Sequence, residues 1–297
     1  MQRRADERAA QVPTLVREHL PGYRVHSVAL LGEGLDNVVY EINGELMVRF
    51  CKAPDPGRRA ARADREARLL TVVAGISPLP VPEPRFVAAD QGCFAYAKIP
   101  GVALLELAPA LRPAHAAAIA ATLGNLLAAL HAIPAGRVAG LVNTDDEPLV
   151  QWRQDAAGLF ATVAGQVPAG RREPVAAFLR DPPPAGGHPL AFSHNDLGIE
   201  HVLIDPATWA VTGIVDWSDA AITDPAYDFG LLYRDLGPAA LAAGLASYRA
   251  GDVSGIRERA VFYARCAVLE DLAHGVATGQ DAYVSKSLAA LGWLFPA

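Results

Sequence analysis

The sequence predicts an α+β protein in two lobes, a small antiparallel β-sheet lobe followed by a mainly helical one. Three observations carry this. Short β-prone runs crowd the N-terminal third, and two of them are joined by Asn43-Gly44, a dipeptide suited to a type I′ hairpin because both residues tolerate positive φ. Pro100-Gly101 then breaks the chain, and beyond it apolar residues recur with the 3.6-residue period of a helix. At 297 residues the chain also lies near the size at which a single core stops growing, although length alone leaves one compact domain open. The expected division is a nucleotide-binding lobe over 1–97, a hinge over 98–101 and a helical lobe over 102–297.

Taken in order, Val12, Leu15, Val16 and Leu20 mark a short amphipathic helix that Pro21-Gly22 ends. Strands are expected over 25–31, 37–42 and 46–50. Between the first two lies Gly32-Glu33-Gly34-Leu35-Asp36-Asn37, whose glycines could bring backbone N–H groups close to a phosphate, although an ordinary hairpin turn has the same composition. Arg49 alternates with Val48 and Phe50, so it points to the opposite face of its strand. A basic loop over 54–63 leads into a helix over 63–73, where Glu66 sits among Leu69, Leu70 and Val73. A solvated helix face is the ordinary place for such a glutamate, and a partnership with Arg49 is the alternative. The prolines between Pro78 and Pro84 hold an extended passage before strands over 85–88 and 94–99.

In the second lobe, Pro113 suits a first helical turn, and Ile119, Leu123, Leu126, Leu127 and Leu130 carry the helix to His131, which reads as a helix-end histidine. Helices over 145–166 and 171–179 follow, then strands over 202–204 and 211–215. Residues 227–294 read as helical, interrupted at Gly237-Pro238, Gly251-Asp252 and Gly279.

Composition excludes several classes. The three cysteines show no CxxC spacing and suggest free thiols, neither a disulfide framework nor a zinc site. A net charge of −6 disfavours nucleic acid and suits a cationic small molecule. The apolar stretch near residues 116–130 is broken by Thr122, Gly124 and Asn125 and falls short of the roughly 20 apolar residues of a membrane span. The charged N-terminus lacks a signal-peptide core, so a cytoplasmic location without a membrane partner is expected. The sequence is silent on oligomeric state.

The chemistry concentrates in His194-Asn195-Asp196-Leu197, with His201 five residues after the aspartate and Ile214-Val215-Asp216-Trp217 after an apolar strand and a turn. Phosphoryl transfer needs a carboxylate to orient or deprotonate the attacking hydroxyl and oxygen ligands for Mg²⁺ on the β- and γ-phosphates. Asp196 fits the first role, Asp216 the second, and His201 is a further potential ligand. Asp219, Asp224 and Asp228 continue the acidic run, the last two read as loop caps.

These stretches resemble the aminoglycoside phosphotransferases, most closely the aminoglycoside 2″-phosphotransferases, with macrolide phosphotransferases next. The resemblance rests on Gly32-Glu33-Gly34, Val48-Arg49-Phe50, Ala97-Lys98-Ile99-Pro100-Gly101, the segment from His194 to Asp205, and the segment from Gly213 to Pro225 with Asp228-Phe229. It implies a protein-kinase-like fold, Asp196 as catalytic aspartate, and His201 and Asp216 as Mg²⁺ ligands. It also implies Gly32 and Gly34 at the phosphates, Arg49 as phosphate-facing cation with Glu66 its partner, and the backbone of Tyr96, Ala97 and Ile99 reading the purine of ATP or GTP. Asp219, Asp235, Glu270 and Asp271 are the candidates for meeting substrate amino groups, and Arg234 is expected to oppose a polycation. Arg49 stands where the family often has Lys, and His201 where the general kinase pattern has Asn. Aminoglycosides are the expected acceptors. Alternatives are a macrolide 2′-phosphotransferase, a metabolite kinase, or a nucleotide-binding protein without turnover.

Overall fold

The computed structural model describes residues 2–34, 37–250, 253 and 255–296, so Leu35 and Asp36 of the glycine turn and the expected break at Gly251-Asp252 lie outside the described residues. The chain divides into two compact units, Met1–Pro100 and Gly101–Ala297.

The first unit contains helix α1 (Gln2–His19), strands β1 (Val28–Glu33), β2 (Asn37–Ile42) and β3 (Leu46–Cys51), helix α2 (Pro56–Ala74), and strands β4 (Pro84–Ala88) and β5 (Cys93–Ala97). The strands form one antiparallel sheet in the order β1-β2-β3-β5-β4. Asn43 (φ 54°) and Gly44 (φ 77°) both occupy the left-handed region at the β2–β3 turn, as a type I′ hairpin requires. Alternation then sends Val38, Tyr40, Ile42, Val48 and Phe50 to one face, where they pack against Val12, Leu15 and Val16 of α1. Helix α2 begins earlier than its apolar period suggests. Asp55 accepts a hydrogen bond from the Arg58 amide (2.8 Å) as N-cap and Pro56 takes the first turn, so the expected loop over 54–63 is mostly helix.

The second unit contains β6 (Val102–Ala103), α3 (Arg112–His131), β7 (Asn143–Thr144), α4 (Leu149–Val163), α5 (Ala169–Arg180), β8 (Ala191–Ser193), β9 (Val202–Ile204), β10 (Val211–Ile214), β11 (Ala221–Thr223), and helices α6 (Ala226–Leu236), α7 (Pro238–Ser247), α8 (Ile256–Thr278) and α9 (Asp281–Leu294). Two three-stranded sheets, β10-β9-β6 and β7-β11-β8, sit among the helices. Strands β6, β7, β8 and β11 have two or three residues each, too short to show an alternation, and the sequence reading passes over them. Helix α3 is long and apolar enough by length and composition to cross a membrane. Within the fold it is a core helix: Ile119, Leu123, Leu126, Leu127 and Leu130 are buried, and it packs closely on α7. A Cβ on Gly124 would overlap the Gly244 carbonyl, so glycine lets these two helices approach backbone to backbone. All three cysteines are free and buried.

Candidate active site

In the first unit the sheet and α2 bring one charged pair together. Arg49 on β3 points toward α2, where its Nε lies 3.0 Å from Glu66 Oε1, the two side chains being 9% and 7% exposed. Of the two readings open for Glu66, the solvated face is therefore corrected to a buried ion pair. The glycine turn is held from below by Lys52, whose Nζ donates to the Gly34 carbonyl (2.6 Å) and pairs with Glu33 (2.6 Å). Gly32 follows an irregularity in the β1–β2 pairing, and the Gly34 amide donates to the Asn37 carbonyl (3.0 Å). Tyr96 and Ala97 end β5 opposite Met47 and Leu46. Tyr96 and Ile99 are buried, while Ala97 and Lys98 are exposed.

In the second unit the candidate reactive residues lie on loops that follow short strands. β8 delivers the chain to His194, and β10 delivers it to Asp216. The two loops are tied directly: the Val215 amide donates to the His201 carbonyl (3.0 Å), and the His194 imidazole bonds the Val215 carbonyl (3.1 Å). Asn195 (φ 64°) and Asp216 (φ 59°) are both in the left-handed region, which non-glycine residues enter rarely and at a cost of about 1–3 kcal/mol. The sharp turns they impose flank Asp196 and place Asp216 beside His201.

Asp196, His201 and Asp216 converge. His201 Nδ1 bonds the Asp196 carbonyl (2.8 Å) and lies 3.4 Å from Asp196 Oδ2, while its Nε2 lies 3.9 Å from Asp216 Oδ2. Ser218 donates to Asp216 Oδ1 (2.8 Å). Asp196 and Asp216 keep 37% of their side chains exposed, so both stay open to a partner from solution. Desolvation pushes the Asp196 carboxyl up to about 6, with Glu200 and Asp219 adding to the rise and His201 opposing it. Burial disfavours a charge on His201, but the carboxylates of Asp196, Glu200 and Asp216 outweigh it and raise its pKa. His194 is buried and driven down to about 3, which keeps it a neutral strut between the loops.

The same negative field would favour a divalent cation at His201 and Asp216. Among the described residues no cluster of three or more His, Cys, Asp and Glu side chains is arranged to enclose a metal. Mg²⁺ commonly takes only one or two protein ligands, with water and phosphate oxygens completing its shell. The two-residue donor set therefore fits Mg²⁺ shared with a nucleotide, although one donor is an imidazole nitrogen.

The remaining acidic residues divide sharply. Asp228 on α6 accepts hydrogen bonds from the His194 and Asn195 amides (3.0 Å each), and Asp224 accepts one from the Ala226 amide and pairs with Arg259 (2.7 Å) and His188 (2.9 Å). Both are caps, as their sequence context suggested. Asp219 is exposed, and its carbonyl accepts from Asn195 Nδ2 (3.1 Å). Glu270 is exposed on α8 beside Trp152, Asp155 and Cys266. Asp235 corrects the sequence expectation. Its carboxylate is 2% exposed and bound to Arg234 (2.8 Å), so it offers no face to a substrate amine. Asp271 is 13% exposed and paired with Arg234 (3.1 Å) and Lys286 (2.9 Å). Arg234 is likewise buried and compensated, and does not oppose a cationic ligand as its sequence position suggested. His131 bonds Tyr248 (3.1 Å) and Ser193 (3.2 Å), with burial pushing it down to about 4.

Comparison with known proteins bears on this arrangement. The model of the phosphotransferase enzyme family (APH) matches residues 27–262. No curated protein sequence matches the chain. Among solved structures the chain is similar to the GDP and kanamycin complex of APH(2″)-IIIa, with a TM-score of 0.69, 21% identity, and coverage of 95% of this chain and 97% of the other. It is also similar to macrolide 2′-phosphotransferase type I (TM-score 0.63, 23% identity, 95% and 96% covered). A third similarity is to the apoenzyme of macrolide 2′-phosphotransferase MphH from Brachybacterium faecium (TM-score 0.62, 25% identity, 94% and 97% covered). The family match spans most of the chain, including the loops that carry Asp196 and Asp216, and the fold agrees: the chain belongs to the phosphotransferase enzyme family, whose members transfer phosphate to hydroxyl groups.

Proposed function

We propose that the protein transfers the γ-phosphoryl group of ATP or GTP to a hydroxyl of a small molecule, with an aminoglycoside as the first candidate acceptor. The convergence of Asp196, His201 and Asp216 on two tied loops carries this reading. Asp196 orients the acceptor hydroxyl and takes its proton, and its raised proton affinity suits a base working near neutral pH. Arg49, aligned by Glu66, is the phosphate-facing cation, and Gly32 and Gly34 of the glycine turn, which carry no side chains, let phosphates approach the backbone closely. The backbone of Tyr96, Ala97 and Ile99, at and just past the end of β5, meets the purine. His201 and Asp216 would hold Mg²⁺, which when bound neutralises charge on the β- and γ-phosphates. Catalysis is then positioning and charge neutralisation, with little covalent work by the protein. Among the four acidic candidates, the exposed Glu270 and Asp219 are left to meet cationic groups of the acceptor. GDP and kanamycin in the APH(2″)-IIIa complex support this donor and acceptor class.

A macrolide acceptor is the second reading. A mainly apolar cavity of about 660 Å³ lies between the N-terminal end of α3, the C-terminal end of α6 and α9, walled by Leu105, Leu107, Leu236 and Trp293, with Asp235 and Lys286 among its polar lining. It adjoins the catalytic loop, because the Leu105 amide donates to the Ile199 carbonyl (3.1 Å). A phosphorylation assay across aminoglycosides, macrolides and hydroxylated metabolites, with ATP and GTP as donors, tests both. Turnover of aminoglycosides supports the first reading, turnover of macrolides alone replaces it with the second, and nucleotide binding without any product overturns both.

A further inference from the structure

The catalytic loop is held at both ends by one helix. Asp228 and Asp235 are seven residues apart on α6, two turns that bring them to the same helix face. Asp228 grips the His194 and Asn195 amides, and Asp235 accepts from the Ile199 amide (3.1 Å). The two clamps differ in what stands behind them. Both accept from backbone amides, but Asp235 also belongs to a buried group of five charges that includes Glu200, the residue before His201.

In that group Arg234 grips Asp235 through Nε (2.8 Å) and a terminal nitrogen (2.9 Å), and its other terminal nitrogen pairs with Asp271 of α8 (3.1 Å). Lys286 of α9 lies 2.9 Å from Glu200, 2.9 Å from Asp271 and 3.6 Å from Asp235. Its side chain is 4% exposed, and it also lies over the Tyr283 ring, 4.7 Å from the centroid. Two cations thus face three carboxylates. Lys286 touches both points where the loop enters the group, Glu200 itself and the acceptor of the Ile199 amide.

A buried ammonium is retained only where partners repay its desolvation, and here desolvation of Lys286 is outweighed by Asp235, Glu200 and Asp271. The loop accommodates this contact through Gly198. A Cβ there would lie 2.6–2.7 Å from the Glu200 carboxylate, so a side chain at 198 would push Glu200 off Lys286.

We propose that Lys286 is a positioning residue for phosphoryl transfer: through Glu200 and Asp235 it fixes the second half of the catalytic loop, and so the register of His201 against Asp196 and Asp216. The assignment rests on the kinase reading above, with Asp196 as the reacting group. Lys286 is remote from the reacting atoms in role. It binds Glu200, whose neighbour His201 holds the Asp196 carbonyl, and a displacement of about 1 Å in such a chain is enough to cost on the order of a hundredfold in rate.

The test compares Lys286→Met, Lys286→Arg and Glu200→Gln with the wild type by amide hydrogen exchange of residues 194–202 and by steady-state kinetics. In Lys286→Met, exchange of the Ile199 and His201 amides should rise at least about tenfold while the core amides of β2 and β3 stay protected. kcat should fall by at least about tenfold with nucleotide KM within about twofold, the pattern of a lost transition-state arrangement. Lys286→Arg should recover most of both losses, and Glu200→Gln should loosen the same amides even if Lys286→Met fails to fold. Unchanged loop exchange in folded Lys286→Met and Glu200→Gln would overturn the proposal, as would loosened loop amides with wild-type kcat. If the wild type phosphorylates no acceptor, the kinase reading fails, while the exchange data still decide whether Lys286 holds the loop.

Discussion

Glu200 and His201 are neighbours in sequence but belong to opposite kinds of charged site. On one side, Asp196, His201 and Asp216 form a half-open group whose carboxylates are 37% exposed and only partly matched by cations. On the other, Glu200, Asp235, Asp271, Arg234 and Lys286 form a buried group in which the side chains are at most 13% exposed and each acid has a cation within 4 Å. The contrast separates two uses of acidic residues. Carboxylates left open can react or bind, and carboxylates locked to a buried cation can only hold shape. Composition sees eight candidate acids after residue 190, whereas the fold assigns them by burial and by partner.

The largest expected effect lies on the open side. Asp196→Asn should lower kcat by about 10³-fold or more with nucleotide affinity retained, since it removes the proposed base and leaves the loop bonds made by the backbone. Single-turnover phosphorylation with calorimetric nucleotide titration checks both halves, and near-wild-type turnover would remove Asp196 from its role.

Breaking the locked side should instead show in stability. Arg234→Met leaves Asp235 and Asp271 buried with only Lys286 to share, and loss of one partner in a buried pair costs about 3–5 kcal/mol. Chemical denaturation measures this, and a change below about 1 kcal/mol would mean that the network is far more hydrated than its burial indicates.

The histidines sharpen the comparison through pH. Burial depresses His131 to about 4 and His194 to about 3, whereas the open-side carboxylates raise His201. For a histidine with a depressed folded pKa, the unfolded state takes up the proton first. The stability it contributes is complete above the unfolded value of about 6.5 and is lost as pH falls toward the folded value. His131 should therefore contribute a loss of stability on the order of 3 kcal/mol between about pH 6.5 and 4, opposed by the buried carboxyls of Asp228 and Asp196, whose raised proton affinity adds stability on acidification. His131→Gln should remove the His131 contribution from the pH dependence of Tm over that range. An unaltered slope would show that His131 does not drive the acid transition.

The smallest effect is expected at Glu270, exposed on α8. Glu270→Gln should change stability by less than about 0.5 kcal/mol, as surface substitutions usually do, while raising KM for a cationic acceptor several-fold. An unchanged KM for every cationic acceptor would exclude Glu270 from the acceptor site.

Much of this was legible in the amino-acid order. The Asn43-Gly44 hairpin, the strands at Asn37–Ile42 and Val202–Ile204, the core helix ending at His131 and the breaks at Gly237 and Gly279 depend on local rules: turn residues with positive φ, alternation and helical period. The family was legible for the same reason, because its motifs are short and contiguous around Asp196 and Asp216. Less was legible where signals were brief or overridden. The two- and three-residue strands β6, β7, β8 and β11 are made by tertiary pairing, and the cap at Asp55-Pro56 starts α2 a full seven residues before its apolar stripe begins.

The sequence by itself therefore determined the fold class, the family and the candidates for reactive chemistry, since those depend on side-chain type and spacing along the chain. Only the tertiary structure decided which acids are available. Asp235, Glu270 and Asp271 look alike in sequence, but desolvation and the placement of Arg234 and Lys286 consume two of them and leave Glu270 at the surface. The same placement joins α9 to the catalytic loop across 86 residues of chain, a contact no local pattern encodes.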